Sequence, residues 1–202
     1  MAAANERLAQ VISAIDAANA RDPRIIEIGG RRQPAELIYG MRMTETLARM
    51  VPEPSECLRI AARGQHIERW KIPRANYPAG RAGYLQWRRD QRAFQARSLG
   101  QIMVAAGYDA DSVGRVGALI RKERMKTDAE AQLFEDIICV MFFEHYLPGF
   151  MTRVAEDKLA DILAKTWGRM SEFGHRHVLK LDLPPDVPRL IERGLARLNI
   201  NG

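Results

Sequence analysis

The sequence predicts an all-α fold, in which a single-domain helical bundle packs around one buried central helix. Apolar residues recur at intervals of three and four through most of the chain, and this is the period of an amphipathic helix. No segment alternates apolar and polar residues for the length of a strand, while proline and glycine separate the helical stretches. At 202 residues the chain has the size of one domain, which we place at residues 1–202.

Capping and breaking residues delimit the predicted helices in the first half of the chain. Pro34 suits the first turn of one helix, and Ser55 is the expected N-cap of the next. Residues 21–33 are predicted to form a loop whose isoleucines enter the core, because no partner strand is evident. Residues 71–83, rich in Pro, Gly and Arg, are predicted to form a second loop. The predicted helices cover residues 5–20, 34–50, 55–70, 84–106 and 109–124.

The helix predicted at 128–147 is apolar on almost every side, which indicates that it is buried and forms the centre of the bundle. The segment from Thr127 to Glu130 fits a capping box at its start. His175 and His177 lie where the following helical pattern breaks, and we interpret them as surface or hinge residues. Further helices are predicted over 153–173 and 186–198.

The charge balance favours anionic partners. The chain carries 31 Lys and Arg against 25 Asp and Glu, a formal net charge of +6. This balance favours a phosphorylated metabolite, a nucleotide or RNA, although a solvated surface of mixed charge has the same composition. The apolar stretch at 137–143 is far shorter than the ~20 residues that cross a bilayer, and the N-terminus lacks a secretory pattern. With two cysteines in apolar helical contexts, the expected location is the cytoplasm, without a membrane partner.

The helix predicted at 55–70 carries an inward stripe that changes from apolar to polar. The stripe begins at Leu58 and continues at helical spacing to Gln65, His66 and Arg69. Polar side chains on an inward face must find buried partners or line a cavity. The stripe therefore predicts either a histidine held by a buried hydrogen bond or a pocket wall with a base and a nearby arginine for an anion.

Acidic residues on the central helix supply the opposite charge. Glu135 and Asp136 lie where its polar start meets its apolar body, and Glu144 lies near its far end. A carboxylate on a buried helix is unfavourable by several kcal/mol unless it is paired, hydrogen-bonded or bound to a metal. These residues predict either ion pairs with nearby arginines or part of a site.

Two further segments extend the candidate site. On the second predicted helix, Tyr39 and Arg42 are three residues apart and suit an anion or a carboxylate. The alternative there is a core tyrosine beside an arginine that reaches solvent. The 71–83 loop and its flanks interleave arginines with aromatic residues, Trp70 and Arg74 among them. This pattern predicts a lid that stacks on a base and clamps a phosphate, or else a surface loop with scattered charge.

Six blocks of sequence carry a resemblance to a known family. They are PAELIYGMRM (34–43), AARGQHIERWKIPR (61–74), AGYLQWR (82–88), DAEAQLFEDIICVMFFE (128–144), EDKLADILAKTWGRMSEFGH (156–175) and LKLDLP (179–184). These blocks resemble an uncharacterised family of domains of unknown function in bacteria and fungi, some fungal members of which carry a glutamyl-tRNA synthetase-like label. The resemblance covers nearly the whole chain and implies no established activity.

More distantly, the string AARGQHIE and the order of the polar residues resemble the HD superfamily of metal-dependent phosphohydrolases, which are all-helical. The resemblance places Tyr39 and Gln65 at the positions of two histidine ligands and His66 at that of the paired aspartate, and it retains Asp136. It implies HD-like helix packing and the position of a pocket, with ligands unlike those of a dinuclear metal site. The candidate ligands for a single divalent metal are His66 and Asp136, with Glu36 or Glu144 as an addition.

We expect one polar pocket between the second, third and central helices, with the 71–83 loop over its mouth. The leading interpretation is a phosphoester- or nucleotide-directed hydrolase in which His66 is a general acid or base, or a metal ligand. The alternatives are a non-catalytic module that binds an anion or RNA, and a structural or assembly protein. The helix at 186–198 could close the domain or pair with a second copy in a homodimer. The predicted site residues are His66, Asp136 and Glu135 for catalysis, Arg42, Arg63, Arg69 and Arg74 for the anion, and Glu36, Tyr39, Gln65, Trp70 and Glu144 in support.

Overall fold

The computed structural model describes the backbone of residues 2–125 and 127–200, and the side chains at 6–125 and 127–198. Helices make up nearly all of the regular structure, which confirms the all-α class. The chain divides into two compact units, Met1–Met125 and Lys126–Gly202. In the described part of the chain, no helix is both long enough and apolar enough to cross a bilayer.

The N-terminal unit combines helices with one small hairpin. Its helices are α1 (Ala2–Asn19), α2 (Ala35–Met50), α3 (Glu56–Gly64), α4 (Gly80–Ala105) and α5 (Ala110–Arg121). The strands are β1 (Ile25–Ile28) and β2 (Arg31–Pro34), and short 3-10 turns occupy Arg69–Lys71 and Arg74–Asn76. Helix α2 packs into the core through one face, on which Tyr39, Met43 and Leu47 are all buried.

The hairpin corrects the prediction of a loop at 21–33. β1 and β2 pair antiparallel, with Ile28 opposite Arg31. Gly29 and Gly30 have φ of 56° and 74°, which allows a two-residue turn that follows the twist of the strands. The expectation that the isoleucines enter the core is wrong for Ile25, which is 44% exposed. A two-residue turn lets neighbouring segments pair with each other, so no distant partner strand is needed.

Helix α3 begins where predicted but ends earlier. Ser55 caps it by accepting the Leu58 amide at 3.0 Å. The helix stops at Gly64 rather than near Trp70, and the backbone turns through a left-handed residue, Glu68, at φ 48°. The Glu68 amide donates to the buried Asn19 side chain at 3.0 Å, so a contact with the end of α1 holds this turn. The polar end of the predicted stripe therefore lies in a turn and not on a helix.

The predicted loop at 71–83 is partly helical and is fastened to α4. Helix α4 already begins at Gly80, and a 3-10 turn covers Arg74–Asn76. The Trp87 indole N–H donates to the Ile72 carbonyl at 2.9 Å. Gln91 donates to the carbonyls of Ile72 and Arg69, both at 2.8 Å. These hydrogen bonds fix the start of the loop, while its role as a lid stays a prediction.

The C-terminal unit is helical throughout its regular structure. Its helices are α6 (Ala129–His145), α7 (Leu147–Met151), α8 (Glu156–Trp167), α9 (Glu172–Val178) and α10 (Val187–Ile200). The burial of α6 is confirmed by Phe134, Ile137 and Phe143, each at most 2% exposed. Asp128 rather than Thr127 caps α6, since its carboxylate accepts the amides of Glu130 and Ala131.

The helix predicted at 153–173 is divided into α8 and α9. Ser171 starts α9 as its N-cap, and its side chain accepts the Gly174 amide at 3.4 Å. His175 and His177 therefore lie within a short helix and not at an irregular break. The His175 ring stacks on Trp167 with a centroid distance of 3.9 Å, which packs α9 against the end of α8.

Candidate anion-binding site

The carboxylate of Glu36 is the buried end of a polar network in the N-terminal unit. Its side chain is 3% exposed, and one oxygen accepts from Arg24 at 2.5 Å. The fully buried side chain of Asp22 accepts the Glu36 amide at 2.9 Å, which positions the first turn of α2. Burial alone would raise the pKa of Glu36, but the hydrogen bond from His66 and the nearby arginine charges hold this pKa below its usual value.

The His66 imidazole lies between Glu36 and Arg69. Its Nδ1 is 3.1 Å from the second Glu36 oxygen, and its Nε2 is 3.1 Å from Arg69 Nη1. Burial and the charge of Arg69 lower the pKa of His66 to about 4, so the ring is neutral at pH 7. Because a guanidinium only donates, Nε2 accepts from Arg69 and Nδ1–H donates to Glu36. One tautomer therefore satisfies both neighbours.

Aromatic rings pack against two members of this network, His66 and Arg69. Tyr39 stacks on His66 with a centroid distance of 3.7 Å, and its hydroxyl donates to Gln65. The Arg69 guanidinium lies over the Trp87 ring, 4.8 Å from its centroid. The structure thus brings together five of the residues predicted for one site, namely Glu36, Tyr39, Gln65, His66 and Arg69.

A narrow pocket opens beside this network, and its enclosed volume of about 10 Å³ is roughly that of one water site. Its charged lining is cationic, and among the described residues that line it there is no carboxylate. Glu36 lies behind His66, so its charge does not face the pocket directly. The lining consists of Arg69, Arg88, Arg92 and Lys122, the amides Gln65, Gln91 and Gln95, and His66 and Ile120. Hereafter these nine residues are called the cationic pocket.

Arg88 differs from the other cations of the pocket. It makes no hydrogen bond or ion pair with any residue of the described ranges 6–125 and 127–198. Its charge instead acts unfavourably on its neighbours, since it contributes to the lowered pKa values of both His66 and Arg69. A cation held among other cations and without an acceptor is a group that an anionic ligand would satisfy.

Arg92 was not predicted as a pocket residue, and Arg88 was predicted only as part of the flank of the 71–83 loop. Both belong to a polar stripe on α4 that includes Gln91 and Gln95 at spacings of three and four residues. Both glutamines are buried, at 2% and 3% exposure. This stripe was the available signal, because buried amides on an otherwise inward face indicate a polar environment in the same way as the stripe around His66.

Four other predicted residues do not line the cationic pocket, namely Arg42, Arg63, Arg74 and Trp70. Arg63 contacts both oxygens of Asp16, each at 2.6 Å, so its guanidinium joins α3 to α1. Arg74 donates to the Tyr77 carbonyl at 2.9 Å within its own loop. For these two arginines, a protein acceptor occupies the donors that an anion would need.

Asp136, Glu135 and Glu144 belong to the C-terminal unit and have partners there. Asp136 is 1% exposed and accepts from the amide and hydroxyl of Ser171 and from Gln132. Glu135 faces Arg169 at 3.5 Å, and Glu144 lies 3.5 Å from the neighbouring His145. The predicted pairing of His66 with Asp136 joins residues of two units and stays a prediction.

In the described residues, no group of three or more His, Cys, Asp or Glu side chains is arranged to hold a metal ion. The single-metal alternative built on His66 and Asp136 therefore stays a prediction.

Comparisons with known proteins identify the family. A family model described as a domain of unknown function, DUF4202, matches residues 9–191 and so extends over both units. Searches among curated proteins and among solved structures gave no match. The relationship to the HD superfamily stays a prediction. Because the matched region covers most of the sequence, this chain belongs to the DUF4202 family.

Proposed function

We propose that this protein binds a small anion of the phosphate class in the cationic pocket. The observation that carries the proposal is a pocket lined by four cations and no described carboxylate, one cation of which, Arg88, has no acceptor among the described residues. Like charges in one pocket repel each other, and a bound anion removes that repulsion while it gains charge-assisted hydrogen bonds. Arginine suits phosphate because its planar fork binds two oxygens at once.

The lining adds neutral donors and limits the size of the ligand. Gln65 accepts from Tyr39 through its oxygen, which leaves its amide N–H groups as donors to the pocket. Gln91 is bonded to backbone carbonyls and braces the wall instead. The enclosed volume is only about 10 Å³, so a phosphoryl group binds at the mouth or requires the arginine side chains to move apart, and nothing larger enters.

The experiment compares two adjacent arginines of α4. Arg88 lines the pocket, whereas Arg89 pairs with Asp90 at 3.2 Å and serves as the matched control. Calorimetry and thermal melting with inorganic phosphate, at constant ionic strength, should show binding to the wild type and to Arg89→Gln. Arg88→Gln should bind about 10–100-fold more weakly, the effect of losing a hydrogen bond to a charged group.

Circular dichroism verifies that both variants are folded. Equal phosphate affinity in wild type and Arg88→Gln would contradict the proposal, as would a wild type whose melting temperature does not respond to phosphate or pyrophosphate.

A second candidate is the predicted phosphoester hydrolase, and the orientation of His66 favours it. Glu36 holds Nδ1–H, so the opposite nitrogen is the acceptor and belongs to the cationic pocket. A carboxylate that orients an imidazole in this way is typical of a general base. Arg69 occupies that nitrogen at 3.1 Å, so catalysis would require Arg69 to move onto the anion. Phosphatase assays on nucleotides and aryl phosphates with wild type and His66→Gln test this candidate.

If hydrolysis is absent while phosphate binds, the protein is a binding module. The predicted RNA binding would appear as an affinity that decreases steeply with salt. The cytoplasmic location, the homodimer and the HD-like relationship remain proposals that rest on the sequence alone.

A further inference from the structure

We infer that the ligand of the cationic pocket is a nucleoside monophosphate, whose base stacks on Tyr84 outside the pocket. This inference rests on the proposed function, because it assigns the phosphate group to the pocket. It adds a second subsite and a chemical class of ligand.

The pocket has little room, since its enclosed volume is about 10 Å³. Every part of a ligand other than the anionic group therefore lies on the surface beside it. One side of that surface is the N-terminal part of α4, which also supplies Arg88. The neighbours of Arg88 on the same helical face are therefore the first groups that an attached ribose and base would meet.

Tyr84 is the residue one turn before Arg88 on that face. Residues at i and i+4 of a helix are neighbours on its surface, about one turn or ~5.4 Å apart along the axis. A ribose spans such a separation between a phosphate and a base. The Tyr84 side chain is 46% exposed, and its hydroxyl has no hydrogen-bond partner within the described residues. It presents an aromatic face to solvent, next to a cluster of cations.

Trp87 fixes Tyr84 relative to the pocket. The two rings are in tilted contact, with centroids 5.8 Å apart. Trp87 is 8% exposed, donates its indole N–H to Ile72, and carries Arg69 over its ring. One buried ring therefore contacts both the exposed tyrosine and a pocket arginine. Tyr84 is held in position for stacking, and base stacking on an aromatic side chain is favourable for every base.

The test separates the contribution of the base from that of the phosphate. Calorimetry measures the affinities of inorganic phosphate, ribose 5-phosphate and adenosine 5′-monophosphate for the full chain. The wild type should bind adenosine monophosphate about tenfold more tightly than ribose 5-phosphate, which is the size of one stacking interaction. Tyr84→Ala should lose this preference and retain its affinity for inorganic phosphate, whereas Tyr84→Phe should retain both.

Leu85→Ala is the matched control, because Leu85 is also exposed, at 55%, but is adjacent in sequence and points about 100° away around the helix. It should leave all three affinities unchanged. Equal affinity for the two phosphate esters, or a Tyr84→Ala variant with wild-type preference, would overturn the inference while the proposed function stands. Absence of binding by all three compounds would overturn the proposed function itself.

Discussion

Glu36 and Asp136 are both buried carboxylates on helices, yet their surroundings differ. Glu36 receives the imidazole of His66 and the guanidinium of Arg24, and its network continues through Arg69 to a pocket. Within the described residues, Asp136 receives neutral donors alone, namely the amide and hydroxyl of Ser171 and the side-chain amide of Gln132. The partners of a buried acid therefore distinguish a carboxylate that secures a helix terminus from one whose network continues to the proposed binding site.

The sequence gives the same signal for both acids, since each is a carboxylate at a helical position that faces inward. Their difference arises from partners that are distant along the chain, 35 residues away for Ser171 and 30 for His66. Three changes test whether the difference is real, and they follow from the largest expected effect to the smallest.

Replacement of Asp136 by alanine should have the largest effect on stability and none on the anion. It leaves the amide and hydroxyl of Ser171 without their acceptor in a partly buried position, while Gln132 keeps the Arg169 carbonyl, and this should decrease the free energy of unfolding by about 3 kcal/mol in urea titrations. Asp136→Asn retains one acceptor oxygen and should lose less. A folded Asp136→Ala protein that no longer binds phosphate would break the comparison and favour a shared site with His66.

His66 should make stability depend on pH in a defined window. Its pKa is about 4 in the folded protein and ~6.5 in the unfolded chain, so between these values the unfolded state binds more protons. Stability is therefore fully present above pH 6.5 and is lost as the pH falls towards 4. The charged and titratable groups facing the ring are Glu36, Arg69, Arg88 and Tyr39.

The loss between pH 7 and pH 5 should be about 2 kcal/mol in wild type and should disappear in His66→Gln, as measured by urea unfolding at both pH values. The pKa of Glu36 is lowered from its usual value of 4.5, so this carboxylate changes stability only below about pH 4.5, outside the window of His66. An equal pH dependence in wild type and His66→Gln would show that the imidazole is not held neutral.

Arg88→Gln should have the smallest effect on the free energy of unfolding, and it should stabilise the protein rather than destabilise it. Without a bound anion, Arg88 is repelled by Arg69, so its neutralisation should raise the free energy of unfolding by about 0.5–1 kcal/mol at low salt. The gain should decrease as salt screens the repulsion. Arg89→Gln, which loses its pairing with Asp90, should not stabilise the protein. A destabilised Arg88→Gln would indicate that this arginine supports the fold.

The helical pattern was predictable because periodicity and caps are local. Ser55, for example, caps α3 through an amide three residues away. The features that were missed depend on distant contacts. The turn that follows α3 is held by Asn19, whose side chain accepts the Glu68 amide. Arg63 is paired with Asp16, so its guanidinium does not face a ligand. No pattern within the residues around Glu68 or Arg63 reports these partners.

The candidate site was predictable to the extent that its residues share one short segment. Gln65, His66 and Arg69 belong to one stripe of the sequence, and Glu36 and Tyr39 belong to the preceding helix, α2. Arg88 and Arg92 lie on α4, whose position against the Arg69 turn is set by Gln91. To assign the pocket from sequence, one would need to know how the Arg69 turn aligns along helix α4, about 20 residues later in the chain. Residue spacing within either segment does not give this alignment.

The side-chain amide of Gln91 fixes the Arg69 turn against helix α4, because it donates to the carbonyls of both Arg69 and Ile72. A shift of the turn along the helix would break both hydrogen bonds at once, so the backbone positions of the arginines on the two walls are fixed relative to each other. The proposed anion would therefore meet a backbone that is already in register, and little ordering of the chain would oppose its association.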